Sequence, residues 1–158
     1  MRVLITGVNG FAGSHLADLL AARPDVVIFG TGRGAGHLIA HHGSALPYRD
    51  GDLTDPGFAG EVVAEACPDR VYHLAGRAFG PASWEDPWGT IETNVRSQLN
   101  VLSALVGRGA STRVLVVGSI EAHGAVTAAD LPIVEGTPLL DGSRDGEGKG
   151  VQHGVRRN

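Results

Sequence analysis

The sequence predicts an α/β domain built on a doubly wound parallel sheet of about five strands. Short, continuously apolar segments alternate with longer segments in which apolar residues recur at helical spacing. Continuous apolar strands separated by helices are typical of a parallel sheet that helices cover on both faces. The length of 158 residues is that of a single domain.

The first three predicted elements form a strand–helix–strand unit. Residues 2–6 are an apolar run that stops at Gly7, which indicates a buried strand. Residues 11–22 are predicted to be a helix, and residues 26–29 a second buried strand. The apolar residues at helical spacing in that helix are Phe11, Leu16, Leu19 and Leu20.

The remaining elements repeat this alternation. A weaker strand is predicted to end within residues 50–53, and a helix over 56–67 begins at Pro56 directly after Asp55. Further strands are predicted at 71–75 and 114–117, on either side of a long helix over 88–106. The apolar face of that helix is predicted to consist of Ile91, Val95, Leu99, Leu102 and Leu105.

The folded domain is predicted to comprise residues 1–140, followed by an atypical glycine-rich tail over residues 141–158. Residues 141–150 contain four glycines and no apolar periodicity. Each glycine costs a helix about 1 kcal/mol relative to alanine. The tail is therefore predicted to be a loop or a frayed end.

Composition excludes several classes of function. A net charge of -4 argues against a general nucleic-acid binder, and no apolar run is long enough to span a membrane. Because no leader sequence is recognisable, we expect a cytoplasmic protein. The single cysteine, Cys67, excludes an internal disulfide. His37, His41 and His42 lack a carboxylate or thiol to complete a ligand set, so no metal site is predicted.

The strongest chemical motif is the glycine-rich turn between the first strand and the first helix. Gly7, Gly10 and Gly13 have the spacing at which a backbone turns tightly and brings a pyrophosphate to the helix N-terminus. Phe11 and Ala12 complete this predicted cofactor-binding loop. The alternative is a glycine-rich turn without a ligand, but the strand–turn–helix context favours a dinucleotide site.

The end of the second strand is expected to contact the adenosine ribose of that dinucleotide. Sites that prefer NAD commonly place an acidic residue there to accept a hydrogen bond from the 2′-hydroxyl. Residues 30–34 contain no acidic residue and one arginine, Arg33. Since an arginine can pair with a 2′-phosphate, NADP is favoured over NAD. The alternative is that Arg33 is simply solvated.

Several further segments occur in an order found in one enzyme family. Together with the glycine motif, they resemble the extended short-chain dehydrogenase/reductase family, in its NAD(P)-dependent nucleotide-sugar epimerase and dehydratase branch. Two stretches, 81–87 and 132–139, are most similar to GDP-mannose 4,6-dehydratases and related 4-keto-sugar reductases. The other segments that carry the resemblance are residues 51–55, 71–76, 92–95 and 118–124.

The resemblance implies a Rossmann-type fold and a set of cofactor contacts. Family members continue for roughly as many residues again, so it also implies that this sequence lacks the C-terminal substrate domain. Asp52 and Leu53 would flank the adenine, although Asp52 could instead be a turn residue before a helix. His73 is predicted to be a packed strand histidine. The other residues carried over are Leu74, Ala75 and Gly76 beneath the nicotinamide ribose, and Asn94 near the active site.

The resemblance also implies a catalytic relay of serine or threonine, tyrosine and lysine acting on an NDP-hexose. Ser119 would hydrogen-bond to the C4 oxygen, Glu121 would remove the C5 proton, and Lys149 would hold the nicotinamide ribose. The tyrosine position is occupied by Asp145, whose carboxylate has an ordinary pKa of about 3.9, against about 10 for a phenol. His123 is a less favoured substitute acid–base group.

Two hypotheses of different class follow from these departures. The first is the NAD(P)-binding domain of a nucleotide-sugar dehydratase, epimerase or reductase of the GDP-mannose type, with impaired activity. The second is a non-catalytic dinucleotide-binding module, or the remnant of a truncated gene. The resemblance further implies a homodimer that pairs through the helix over residues 88–106.

Overall fold

The computed structural model describes residues 1–34, 40–41, 44–77, 85–109, 111–124, 126–128 and 131–138. The tail expected at 141–158, with Asp145 and Lys149, lies outside the described residues. The described residues fall into two compact units. The first comprises Met1–Gly76 and Arg96–Val117, and the second comprises Arg77–Val95 and the described residues that follow Val117.

Among the described residues, the strands all lie in the first unit. Five of them form one parallel sheet in the order β5-β2-β1-β6-β7, and β3 and β4 form a separate antiparallel pair. This confirms the predicted fold class. The strands are β1 (Arg2–Thr6), β2 (Val27–Gly32), β3 (Ala40–His41), β4 (Ser44–Ala45), β5 (Tyr48–Asp50), β6 (Arg70–His73) and β7 (Arg113–Val116).

The helices connect these strands as expected for a doubly wound sheet. The chain runs from β1 outward through β2 to β5, and then returns to the other side of β1 to form β6 and β7. Ligands of such sheets bind at the carboxyl ends of the strands where the order reverses. The helices are α1 (Phe11–Ala21), α2 (Pro56–Ala66), α3 (Pro87–Ile91), a π-helix (Glu92–Arg96), α4 (Ser97–Arg108) and a 3-10 helix (Ile120–His123).

Two apolar clusters cover the two faces of the sheet. Leu4 packs in the cluster that includes residues of α2 and α4, whereas its neighbours Val3 and Ile5 pack in the cluster that includes residues of α1. Burying each large apolar side chain contributes about 1.5–3 kcal/mol. Both faces of β1 are therefore anchored, which fixes the position of the loop that follows it.

The long helix differs from its prediction. The buried residues of this segment include Asn94, Gln98, Val101 and Leu105, whereas Leu99 is 42% exposed. Leu105 belongs to the predicted apolar face and is buried, but the other three of these buried residues each lie one position before a residue that was predicted to face the core. In α1, two of the apolar residues at helical spacing, Phe11 and Leu19, are 84% and 68% exposed.

The weaker strand that was predicted to end within residues 50–53 is present. The strand is β5, which ends at Asp50, and a turn follows it. The Asp52 carboxylate accepts a hydrogen bond from the Thr54 N–H at 2.9 Å, and the Asp52 carbonyl accepts one from the Asp55 N–H at 3.0 Å. A side chain that bonds to the backbone two residues on favours a turn over a strand.

Within the residues that the structure describes, no helix is both long and apolar enough to cross a membrane.

Candidate functional site

The loop from Gly7 to Gly10 joins β1 to α1 at the point where the strand order reverses. Gly7 has a φ of +67°, a conformation that favours glycine. The N–H groups of Gly7 and Val8 donate to the carbonyl of Thr31 in β2 at 2.7 and 3.3 Å, and the Gly10 N–H donates to the Gly7 carbonyl at 3.0 Å. These bonds fold the loop tightly over the end of β2.

Backbone segments approach one another so closely here that two glycines cannot carry a side chain. A Cβ atom on Gly13 would contact the Gly7 carbonyl oxygen and lie 2.7 Å from Val8 Cα. A Cβ atom on Gly7 would lie 2.8 Å from the Ala75 nitrogen, just beyond β6. The glycine spacing read from the sequence therefore corresponds to contact between the loop, α1 and the end of β6.

The first turn of α1 is open to an anion. No side chain caps the helix at Gly10, and its first turn contains no acidic residue. Gly10, Phe11 and Ala12 are exposed, and the Phe11 ring lies 4.6 Å from the His15 ring. Uncapped N–H groups and the helix dipole favour a phosphate at such an end. The loop thus fits a pyrophosphate.

Arg33 lies directly after β2 and its backbone is held by the glycine loop. The Asn9 side-chain Nδ2 donates to the Arg33 carbonyl at 2.9 Å. The next residue, Gly34, donates its N–H to the Asp50 carboxylate at 2.8 Å and accepts a hydrogen bond from the Tyr48 hydroxyl at 2.9 Å. The chain after β2 is therefore anchored to both the loop and β5.

Asp52 faces Arg33 across the ends of β5 and β2. The Arg33 guanidinium lies 3.8 Å from the Asp52 carboxylate, and both side chains are about half exposed. The Thr54 N–H, together with the Arg33 charge, holds the pKa of Asp52 below its ordinary value despite partial burial. Asp52 is therefore ionised at neutral pH and serves as both an acceptor and a turn residue.

Leu53 and the adjacent turn are fixed from α4. The Leu53 side chain is 5% exposed and packs in the core cluster, so it is buried rather than open at the surface. The Asn100 Nδ2 donates to the carbonyls of Leu53 and Thr54, both at 2.9 Å. This amide holds the turn that carries Asp52.

The end of β6 rests on a buried polar network. Thr6 Oγ1 accepts a hydrogen bond from the Ala75 N–H at 3.1 Å and lies 2.9 Å from His73 Nδ1. His73 Nε2 lies 3.5 Å from the Ser97 hydroxyl, and His73 is 3% exposed. The interpretation of His73 as a packed strand histidine is confirmed. Leu74 and Ala75 are partly buried and Gly76 is exposed.

In the second unit, Asn94 holds the backbone of the residue that follows Gly76. Its Oδ1 accepts from the Arg77 N–H at 2.7 Å, and its Nδ2 donates to the Arg77 carbonyl at 3.1 Å. The Arg77 guanidinium donates to Asp86 at 2.7 Å, and this hydrogen bond, with that from the Gly89 N–H, lowers the pKa of Asp86. Asn94 is completely buried.

The residues expected to be catalytic are described only in part. Ser119 is partly buried and its carbonyl accepts from the Ala122 N–H at 3.3 Å as the 3-10 helix begins. Glu121 lies in that helix, but its side chain is outside the described part of the structure, as is all of Lys149. His123 Nδ1 lies 3.1 Å from the Pro138 carbonyl, to which it donates.

Some residues that shape this site were not identified from the sequence, among them Thr6, Asn9 and Asn100. Each contributes a side-chain hydrogen bond to backbone at a strand end. Asn9 lies between two motif glycines, and this position was the one feature of the sequence that could have identified it. Thr6 and Asn100 occur in ordinary strand and helix positions that nothing in the apolar pattern distinguishes.

Comparison with known proteins agrees with the geometry. A GDP-6-deoxy-D-mannose reductase from Pseudomonas aeruginosa is 37% identical over 137 residues, which cover 85% of this chain and 39% of that protein. A GDP-mannose 4,6-dehydratase from Vibrio cholerae is 30% identical over 87% of this chain and 40% of its own length. The chain thus spans less than half the length of these relatives.

Solved structures show the same fold. UDP-glucose 4-epimerase from Thermus thermophilus, in complex with NAD, matches with a TM-score of 0.87 and 28% identity, covering 99% of this chain and 50% of that one. RMD from Pseudomonas aeruginosa, complexed with NADPH, matches with a TM-score of 0.79 and 31% identity, covering 98% and 48%. The sequence model of one family matches residues 3–144, and the chain therefore belongs to the NAD dependent epimerase/dehydratase family.

Proposed function

We propose that this chain binds NADP(H), with NAD(H) as the alternative, through the loop at Gly7–Gly13. The observation that carries the proposal is the uncapped α1 N-terminus beneath a loop too close-packed for side chains. Arg33, half exposed beside Asp52, supports contact with a 2′-phosphate. Relatives of known structure were solved with NAD and with NADPH, and both cofactors share the pyrophosphate that this loop fits.

The proposed substrate is an NDP-hexose of the GDP-mannose type, and the proposed chemistry proceeds through sugar C4. When bound, the nicotinamide supplies the acceptor and donor of hydride. The reductase and dehydratase relatives support this choice of sugar nucleotide. Ser119 hydrogen-bonds to the C4 oxygen, Glu121 takes the C5 proton, and Lys149 holds the ribose. Leu74, Ala75 and Gly76 form the proposed nicotinamide-binding strand end, and Asn94, which holds the Arg77 backbone, is a further proposed cofactor-binding residue.

The residue at the position of the proton-transferring tyrosine does not suit this chemistry. Asp145 stands where the family has tyrosine, and an ionised carboxylate matches poorly the task of moving a proton to and from a sugar hydroxyl near neutral pH. We therefore propose impaired turnover. The alternative, a non-catalytic dinucleotide-binding module, is favoured by the same observation.

We also propose a homodimer that pairs through the helical segment 88–106, which includes most of α4, and a cytoplasmic location. On α4, Leu99 is 42% exposed and Val106, two turns further along the same face, is 80% exposed. Exposed apolar residues on one face of a helix favour contact with a second copy.

Cofactor preference is tested by fluorescence titration with NADPH and NADH. We expect the wild-type chain to bind NADPH more tightly, and Arg33→Ala to weaken NADPH binding about 10- to 100-fold, because a charged hydrogen bond contributes about 1.5–3 kcal/mol. The same substitution should leave NADH binding within about twofold. Tighter binding of NADH by the wild type would overturn the NADP preference. A folded chain that binds neither would overturn the proposed function.

Turnover distinguishes the enzyme from the binding module. The purified chain is incubated with GDP-mannose and either oxidised cofactor, and the formation of a 4-keto sugar is followed. We expect cofactor binding with a rate far below that of an enzyme with median kcat, which is about 10 per second. Rapid formation of the 4-keto product would contradict the impairment that we assign to Asp145.

A further inference from the structure

Asn9 joins the phosphate loop to the residue that we propose contacts the 2′ position. Its Nδ2 donates to the Arg33 carbonyl at 2.9 Å. A Cβ atom on Gly32 would contact Asn9 Oδ1, so the glycine at the end of β2 leaves the room in which the amide lies. The Asn9 side chain therefore occupies a fixed place between the loop and Arg33.

The bond from Asn9 acts on the backbone of Arg33 and not on the phosphate loop. The loop is closed by its own backbone bonds, from Gly7 and Val8 to Thr31 and from Gly10 to Gly7. None of these bonds involves the Asn9 side chain. Removing the amide should leave the pyrophosphate cradle intact while releasing one anchor of the segment that carries the guanidinium.

The other anchors of this segment hold neighbouring groups. Asp50 and Tyr48 hold Gly34, which has a φ of +89°. The Arg33 side chain reaches Asp52 at 3.8 Å, which is too long for a tight ion pair and leaves the guanidinium free to take a second anion. Asn9 thus fixes the position of the Arg33 main chain, and the direction of the Arg33 side chain depends on that position.

We infer that Asn9 is a positioning residue that sets Arg33 for discrimination at the 2′ position of the adenosine ribose. This inference rests on the proposed dinucleotide site. Asn9 makes the ratio of the NADPH and NADH dissociation constants depend on a side chain within the phosphate loop. The phosphate loop thereby contributes to cofactor specificity through a side chain that takes no part in closing the pyrophosphate cradle.

The test compares dissociation constants for NADPH and NADH in the full chain. Asn9→Ala is expected to weaken NADPH binding about fivefold, the effect of one ordinary hydrogen bond, and NADH binding by less than twofold. In the Asn9→Ala/Arg33→Ala double variant, NADPH affinity should equal that of Arg33→Ala alone, because the amide acts through the guanidinium. Adenosine 2′,5′-bisphosphate, which lacks the nicotinamide half, should show the same fivefold loss.

Asn100→Ala is the matched control. It removes an amide that holds carbonyls of the neighbouring turn, at Leu53 and Thr54, with no bond to Arg33. We expect it to weaken NADPH and NADH by the same factor. If Asn9→Ala also weakens both by one factor, or if its effect adds fully to that of Arg33→Ala, the inference is wrong while the dinucleotide site stands. If the folded wild type binds neither cofactor, the proposed function fails and the inference fails with it.

Discussion

Replacing Gly13 with alanine is expected to weaken dinucleotide binding at least about 100-fold and to destabilise the fold by about 1–3 kcal/mol, the usual cost of forcing extra atoms into a packed site. The added Cβ atom would contact the Gly7 carbonyl oxygen and lie 2.7 Å from Val8 Cα. Both neighbours are backbone, so the strain cannot be relieved by moving a side chain. The loop must move away from α1, and its N–H groups leave the positions from which they would bind a pyrophosphate.

A second helix glycine provides the control for this prediction. Gly60 lies within α2, and a Cβ atom there would meet nothing within 4 Å. Gly60→Ala should raise the free energy of unfolding by about 0.5–1 kcal/mol, since alanine is the better helix former, and should leave binding unchanged. Urea unfolding and NADPH titration of both variants measure the two effects. Equal cofactor affinity in Gly13→Ala and Gly60→Ala would place the dinucleotide elsewhere.

The glycine motif that contains Gly13 was recognisable in the sequence, and the fold could be predicted from the sequence as well. The bounds of β1 and the Pro56 start of α2 were predicted correctly, because a glycine follows β1 and a capping aspartate precedes α2. The second strand was predicted to end at Phe29, but β2 continues through Gly30 to Gly32. The Asp55 carboxylate does cap α2, accepting from the N–H groups of Gly57 and Phe58 at 2.7 and 3.3 Å. Local chemistry decides these boundaries.

The predicted core face of the long helix was wrong at positions where the buried side chains are polar. Asn94 and Gln98 are buried on the segment whose apolar residues were predicted to face the core, and Leu99 is exposed in their place. An apolar pattern cannot identify such a face, because a buried amide is stabilised by specific partners that only the folded chain brings together. The Asn94 amide bonds to the Arg77 backbone, 17 residues earlier.

The candidate site shows the same division between local and long-range information. Sequence motifs identified four of the candidate site residues, and the structure brings these residues to the carboxyl ends of neighbouring strands. They are Gly7, Arg33, Asp52 and Ala75. The sequence did not identify the side chains that hold them in place, which are the amides of Asn9 and Asn100 and the hydroxyl of Thr6. The hydrogen bond between Thr6 and Ala75, for example, spans 69 residues. No sequence spacing indicates such a bond.

Thr6→Val is the second large effect that we expect, a loss of about 2–4 kcal/mol in the free energy of unfolding. Thr6 is completely buried, and its hydroxyl serves both the Ala75 N–H and His73 Nδ1. Valine keeps the shape of the side chain but leaves both groups buried without this partner, at about 1–3 kcal/mol for each unsatisfied group. Since Ala75 lies against Gly7, the strand end proposed to lie beneath the nicotinamide ribose should also lose its fixed position.

Thr6→Ser separates the hydroxyl from the methyl group. Serine keeps both hydrogen bonds and loses one buried methyl, which costs about 1 kcal/mol. In urea unfolding followed by circular dichroism, the free energy of unfolding should therefore be highest for the wild type, lower for Thr6→Ser and lowest for Thr6→Val. If the two variants unfold at the same urea concentration, packing and not the polar network holds β1 to the end of β6. With the expected ranking, a single buried hydroxyl fixes the distance between the end of β1, from which the phosphate loop starts, and the end of β6.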